Sequence, residues 1–292
     1  MSRRQFPLRP DVDAAAIYTY PEQLRASLNG LPKQPGVYFF HGESETLPLY
    51  IGKSVNIRSR VLSHLRTPDE AAMLRQSQRI SWIQTAGELG ALLLEARLIK
   101  EQQPLFNKRL RRNRQLCSLQ VMQGKPQVVY AREVDFSSAP NLYGLFASKR
   151  AAQQTLQTLA DELQLCYSLL GLEATTRGRA CFRFGLKRCA GACCKKESTE
   201  EHQTRLLAGL ASLRVNCWPW EGAVALKETG ETMTQYHIIH NWLWLGAVER
   251  LSNASGLIRA PAGFDHDGYK ILCKPLLSGE YEVIALNVPE AR

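Results

Sequence analysis

Glu95 is the residue whose placement most needs an explanation. It lies in ELGALLLEARLIKEQQ, residues 88–103, where at about 100° per residue it shares a helical face with Ala91, Leu92, Leu98 and Ile99. Arg97 and Glu101 take the opposite side. An ionised carboxylate on an apolar stripe costs on the order of several kcal/mol unless something positive holds it. Two partners suit it: an arginine or lysine in a buried salt bridge, Arg60 or Lys53 being the candidates, or a divalent cation. Arg60 and His64 stand one turn apart on a second short helix and can act together. Far downstream, Cys166, Cys181, Cys189 and Cys193 are separated by 14, 7 and 3 residues, the last two within KRCAGAC. Four thiolates suit a structural zinc or an iron-sulfur cluster, and the spacing does not choose between them.

These residues need elements to hold them. GVYFF from Gly36 and LYIG from Leu49 read as strands of a hairpin with a longer loop, with Tyr38 and Phe40 on one face and Val37 and Phe39 on the other. Ile57, Val61 and Leu65 recur every fourth residue and predict a helix over 56–65. RISWIQTAG from Arg79 predicts a third strand, and the Glu95 helix is stopped by Pro104. A short helix is expected around Pro21 to Leu28. Leu116 to Phe146 is β-rich, Lys149 to Leu165 is helical, and a further helix is expected from Glu197 to Leu213. The chain closes with strand-like runs VALKE, YKILCKPL and YEVIAL around the aromatic HIIHNWLWLG.

The predicted architecture is α/β. A lead-in over 1–28 precedes a first domain at 29–113, a small and mainly antiparallel sheet with flanking helices. A β-rich connector and helix over 114–160, a four-cysteine helical segment over 161–213 and a small C-terminal α/β domain over 214–292 follow.

Over 292 residues, Lys and Arg outnumber Asp and Glu by 37 to 27, for a net charge of +10. That balance favours a polyanionic partner through phosphate neutralisation. The first residues lack the apolar core of a secretory signal, and no run approaches the roughly 18 apolar residues of a membrane span. A cytoplasmic protein is expected, and in that reducing compartment eight cysteines point to metal binding or catalysis before disulfides.

GVY, then YIGKSVNIRSRVLSHL, then LLLEARLIKEQQPLFN, in that order over about residues 30–110, is similar to the GIY-YIG nuclease domain, and specifically to the N-terminal half of UvrC, the incision subunit of bacterial excision repair. The resemblance implies a phosphodiester hydrolase. Glu95 would ligate one Mg²⁺ or Mn²⁺, Tyr38 would activate the attacking water, and Tyr50 would assist it. Arg60 would clamp the non-bridging oxygens, Lys53 would add positive charge, and Asn107 would complete the set unless it is a cap or turn residue. His64 stands where the family, as aligned, usually carries tyrosine, and its reference pKa near 6.5 makes it a competing general base. The basic run after the helix offers Lys108, Arg109, Arg111 and Arg112 for backbone contacts to DNA. CFRFGLKRCAGAC resembles the UvrC stretch that holds a 4Fe-4S cluster, with zinc as the alternative; the longer first gap makes Cys166 the least regular ligand and Cys194 an alternative.

The chain ends before there is room for the second nuclease and the helix-hairpin-helix repeats of full UvrC. A single cut is therefore expected, on the 3′ side of a lesion in damaged double-stranded DNA prepared by UvrA and UvrB. No UvrB-binding helix pair is recognisable after Glu200. A GIY-YIG nuclease of restriction, recombination or mobile elements, and a non-catalytic cysteine-cluster nucleic-acid binder, are the competing classes.

Overall fold

GVYFFH is apolar on both faces, so as a strand it has to be covered on both sides. In the computed structural model, which describes residues 21–44, 47–107, 116–174, 179–258 and 264–286, this run is β1 (Gly36–His41), buried along its whole length. It is the centre of an antiparallel sheet of order β2-β1-β3, between β2 (Pro48–Ser54) and β3 (Arg79–Gln84). Tyr38 and Phe40 on one face pack with Ile57 and Val61 of α1 (Ile57–His64), with Leu65 just after it, and with Met73 and Leu74 of α2 (Ala71–Gln76). Val37 and Phe39 on the other face meet Ile51 and Ile99, the latter from α3 (Glu88–Gln102). Asn56 caps α1 by accepting from the Ser59 amide at 2.9 Å. α3 stops at Gln103, left-handed at φ 47°, just before Pro104. The predicted hairpin, third strand and two helices of this region all form, and the expected helix near Pro21 is a 3₁₀ segment, Glu22–Leu28.

Downstream, β4 (Cys117–Met122), β5 (Lys125–Tyr130) and β6 (Leu142–Phe146) make a second antiparallel sheet of order β5-β4-β6. Leu119 and Val121 pack with Ala152 and Leu156 of α4 (Lys149–Glu162), and with Leu206 and Leu210 farther along the chain. The cysteine segment carries the four-residue α5 (Phe182–Gly185), and α6 (Thr199–Leu210) starts on a Ser198/Glu201 capping box. The chain ends with β7 (Val224–Thr229), β8 (Thr234–His240), β9 (Leu243–Val248), α7 (His266–Leu277) and β10 (Glu282–Ala285), in a sheet of order β10-β7-β8-β9.

One expected strand is a helix. YKILCKPL lies inside α7, where Asp265 caps the start by accepting from the Asp267 amide. Tyr269, Leu272 and Leu276, at helical spacing, are the buried face. The run alternates loosely enough to mimic a strand, but Gly268 and Pro275 at its ends concealed the longer helical period. Among the described residues no helix is long and apolar enough to cross a membrane.

By contact density the chain falls into two units. Among the described residues, one joins 21–107 with 227–237 and 247–251; the other takes 116–226, 238–246 and 252–286. In the first unit, one buried carboxylate explains why residues from β7 and β8 group with α3. Glu228, 5% exposed, accepts from the amides of Leu89 and Gly90 at 2.9 Å each and from Nε2 of the fully buried His237 at 2.9 Å. α3 has no capping side chain of its own, because Gly87 occupies the N-cap. A Cβ there would lie 2.3 Å from the Glu228 Oε1, so glycine leaves the space through which the distant carboxylate reaches the helix.

Burial alone would raise the Glu228 pKa, yet the bonds from His237, Gly90 and Leu89 hold it below its ordinary 4.5. A carboxyl depressed in the folded state stabilises in full above its unfolded pKa, and that contribution is lost as pH falls through the folded value. Glu228→Ala, which strands three buried donors, should cost about 3–5 kcal/mol in urea unfolding at neutral pH. The stability gap between wild type and Glu228→Gln should narrow as the pH is taken below about 4; a gap independent of pH would contradict the assignment.

Candidate functional site

Tyr38 stands on β1 opposite Gly52 of β2, and this pairing builds the site. A Cβ on Gly52 would fall 2.3 Å from the Tyr38 hydroxyl and 2.8 Å from the Tyr50 ring. Glycine is the residue that leaves room for two phenols on one sheet face. Their ring centroids are 6.3 Å apart, and each lies 5.4 Å from the His64 ring. His64 closes α1 and is buried. Its imidazole, one turn on from Arg60, is a wall of the aromatic core.

The protons in this group can be assigned from their partners. The Glu70 carboxylate, from the short 3₁₀ turn Pro68–Glu70, bonds Nδ1 of His64. An ionised carboxylate only accepts, so Nδ1 carries the hydrogen and Nε2 is left to accept from the Tyr38 hydroxyl at 2.6 Å. Burial lowers the His64 pKa, and the neighbouring Arg60 charge adds to that, while the Glu70 bond and charge oppose both. Burial pushes the Tyr38 phenol far above its ordinary value, with the Tyr50 phenol adding to the effect and a bond from Arg60 opposing it. Tyr50 is raised too, first by burial and then by the Glu95 charge. The Tyr50 phenol and the exposed Arg60 both stand near enough to Tyr38 to bear on its pKa, Tyr50 raising it and Arg60 lowering it.

Glu95 is part-buried, and its carboxylate accepts from the Lys53 backbone amide at 3.0 Å. The Lys53 ammonium goes elsewhere, to Glu88 at 2.6 Å. Burial raises the Glu95 pKa, opposed by the Lys53 amide bond and charge. A carboxylate so placed fits a hard cation better than the buried salt bridge considered from sequence. Asn107 sits apart from the phenols: its Oδ1 accepts from the Ile51 amide at 2.9 Å and its Nδ2 donates to the Ile51 carbonyl at 2.8 Å. Its side chain pairs with β2 as a neighbouring strand would, while its own amide closes the turn from Pro104 by bonding that carbonyl at 3.3 Å. Lys108, Arg109, Arg111 and Arg112 lie outside the described residues.

Cys166, Cys181, Cys189 and Cys193 converge, with their Sγ atoms all within 4.8 Å of one another. Backbone amides point at the sulfurs, Cys181 N–H to Cys193 Sγ at 3.3 Å and Gly191 N–H to Cys189 Sγ at 3.4 Å. Burial raises the Cys181 and Cys189 thiols. Cys193 is held below its ordinary value despite burial, chiefly by the bonds from Cys181. Four sulfurs in a pocket that favours thiolate on at least one of them suit a shared metal centre. Cys166, the irregular member by spacing, is fully within the group, and its amide is bonded to Nε2 of buried His202 at 3.0 Å. Cys194 turns away to the Gly191 carbonyl. Glu70, His202 and Glu228 were not anticipated. Glu70 follows His64 by six residues across a turn, and Glu228 lies 139 positions from Leu89; neither separation has a period that marks it.

Residues 34–108 match the model of the UvrC-like GIY-YIG domain, 116–212 that of the UvrC/Cho excinuclease middle domain, and 223–290 that of the excinuclease Cho C-terminal domain. The chain is 74% identical to excinuclease Cho of Escherichia coli K12 over 287 residues, 98% of this chain and 97% of that one. It is 71% identical to excinuclease Cho of Salmonella typhi, with 98% of each chain covered. It is also 31% identical over 220 residues to UvrABC system protein C of Caldicellulosiruptor saccharolyticus, of which 36% is covered. Among solved structures it matches the GIY-YIG N-terminal endonuclease domain of UvrC from Thermotoga maritima bound to its catalytic divalent cation, magnesium, at 32% identity and a TM-score of 0.27, covering 30% of this chain and 97% of that one.

Gly52→Ala should destabilise the first unit by about 1–3 kcal/mol, the usual cost of forcing an extra carbon into a packed core. Near-ultraviolet circular dichroism should register displaced tyrosines; an unchanged spectrum and urea midpoint would contradict the packing described.

Proposed function

The chain belongs to the excinuclease Cho family of UvrC-like GIY-YIG nucleases, and from that premise we propose that it makes one metal-dependent incision during nucleotide excision repair, on the 3′ side of a lesion, in DNA prepared by UvrA and UvrB. The observation that carries the chemistry is the bonded series Tyr38, His64, Glu70, with the Tyr50 ring and Arg60 beside it and the Glu95 carboxylate near enough to raise the Tyr50 pKa.

Tyr38 is 1% exposed, whereas Tyr50 is only partly buried. On this reading Tyr50, the more exposed phenol, meets the attacking water, and Tyr38 stands behind it. As the water oxygen attacks phosphorus, Tyr50 takes its proton and passes its own to Tyr38, whose hydroxyl proton goes to Nε2 of His64. Neither phenol has to ionise fully, because each gains one proton as it gives one up. The imidazolium that results is held by the Glu70 carboxylate. Arg60 supplies a planar fork of donors to the non-bridging oxygens, and Lys53, with its ammonium on Glu88, keeps positive charge beside them. Glu95 is the residue to hold Mg²⁺ or Mn²⁺, which when bound neutralises charge on the departing 3′ oxygen. Asn107 positions β2 through Ile51 and so acts through the strand that carries Tyr50 and Lys53. The four cysteines would hold a 4Fe-4S cluster, with zinc as the alternative; iron, sulfide and zinc analysis of the purified protein separates the two, and loss of the metal by Cys189→Ser is the expected outcome. The partners would be damaged DNA, UvrB and, upstream, UvrA.

Cleavage of an end-labelled duplex carrying one bulky adduct, with UvrA, UvrB, ATP and Mg²⁺, tests the reading. A single cut 3′ to the adduct, absent without UvrA and UvrB and lost in Glu95→Ala, is expected; cutting indifferent to the adduct would assign the nuclease to another pathway. The relay has its own signature. Because His64 must be neutral to accept a proton, kcat/KM should fall on the acid side with a pKa below 6.5. Glu70 raises the His64 pKa, so Glu70→Gln should move that limb to lower pH while reducing the plateau about ten- to a hundred-fold. An acid limb unchanged by Glu70→Gln would remove His64 from the relay.

A further inference from the structure

The side chains of α5 divide by function. Phe184 turns inward and packs with Leu169 on the cysteine group. Arg183 folds back, its guanidinium 3.8 Å from the Tyr167 ring centroid and bonded to Asp161, leaving its side chain 12% exposed. Phe182 and, one turn on, Leu186 point outward, 78% and 53% exposed. This turn is held in place: the Arg188 amide bonds the Arg183 carbonyl at 2.9 Å, and Gln164 bonds the Lys187 carbonyl at 3.2 Å. An apolar pair is thus displayed on a braced support, without the cover that a neighbouring element gives the other large apolar side chains of this segment.

Its surroundings say what would cover it. From Arg179 to Lys196 the segment contains six cations and no carboxylate, and Lys187, Arg188, Lys195 and Lys196 are all exposed. A protein partner matched to that rim alone would need a concentrated acidic surface, whereas DNA supplies phosphates at regular spacing together with flat apolar faces wherever bases are unstacked. Fully paired B-DNA keeps those faces inside the stack. A phenyl ring and a leucine in a basic rim match the apolar wedges that enter between base steps or stack on unpaired bases.

We propose that Phe182 and Leu186 form a stacking tip that engages unpaired or unstacked bases, with Lys187, Arg188, Lys195 and Lys196 on the flanking phosphates. The inference rests on the DNA-directed reading above but not on the cleavage chemistry. The tip would make the cysteine segment a reader of helix distortion, and its four-thiol centre the brace that keeps the tip exposed.

The test measures binding in the full chain carrying Glu95→Ala, so that cleavage plays no part. Two duplexes of one sequence are compared, one fully paired and one with a short central bubble containing 2-aminopurine. The chain should prefer the bubble and change the 2-aminopurine fluorescence. Adding Phe182→Ala should weaken bubble binding about ten-fold and abolish the fluorescence change, with less than about a two-fold effect on the paired duplex. Phe182→Trp should restore both. Lys187→Ala with Arg188→Ala should weaken both duplexes alike and reduce the salt slope by about two. Metal content and absorbance equal to the parent confirm that each variant keeps the cysteine centre. Equal binding of both duplexes by the parent, or an unchanged bubble affinity in Phe182→Ala, would overturn the proposal. So would a Phe182→Ala variant that keeps its DNA binding but no longer co-elutes with UvrB, which would place the tip on a protein. Failure here with adduct-directed cutting intact removes only the tip; bubble recognition without cutting removes only the nuclease reading.

Discussion

The nuclease unit depends on one buried carboxylate supplied from outside its own stretch of chain. Glu228 accepts two amides at the head of α3 and one imidazole N–H, so the helix that carries Glu95 begins on a cap from β7. Free N–H groups at a helix start are commonly satisfied by a side chain immediately before it. Here Gly87 vacates that position, and the C-terminal hairpin provides the charge, which also suits the positive end of the helix dipole. Glu95 sits two turns further along, so its height above β2 follows from where that cap holds the helix.

The second constraint is the burial of Tyr38. A phenol sealed under α1 has to give its hydroxyl proton to a partner, and His64 accepts it because Glu70 has taken up the other ring nitrogen. Burial suppresses ionisation of both Tyr38 and His64, which favours the neutral form of each. Gly52 is the geometric condition for this arrangement, since any side chain there would occupy the position of the Tyr38 hydroxyl. The same strand is steadied from its outer side by Asn107, whose amide pairs with both backbone groups of Ile51.

The cysteine segment solves a different problem. It has only four residues of regular helix in α5, and its centre is the four converging sulfurs, covered by Phe184 and Leu169. The charges that surround them are displaced to the rim, because a thiol pocket closed by Phe184 and Leu169 leaves no interior place for lysine or arginine.

The residue pattern by itself determined the first unit's strands and helices, the grouping of Tyr38, Tyr50, Arg60, His64 and Glu95, and the four cysteines, because hydrophobic period and motif order act over a few turns of chain. It misread Tyr269–Leu276 as a strand, where loose alternation between Gly268 and Pro275 hid a helical face made of three buried residues. It left open whether the His64 imidazole is buried or exposed. Only the tertiary structure decided that His64 is a buried acceptor oriented by Glu70, that Tyr50 is the more accessible phenol, that Asn107 completes a strand edge, and that Glu228 caps the helix of Glu95. Each of these depends on which groups lose water together, and burial is a property of the packed chain that no spacing along it records.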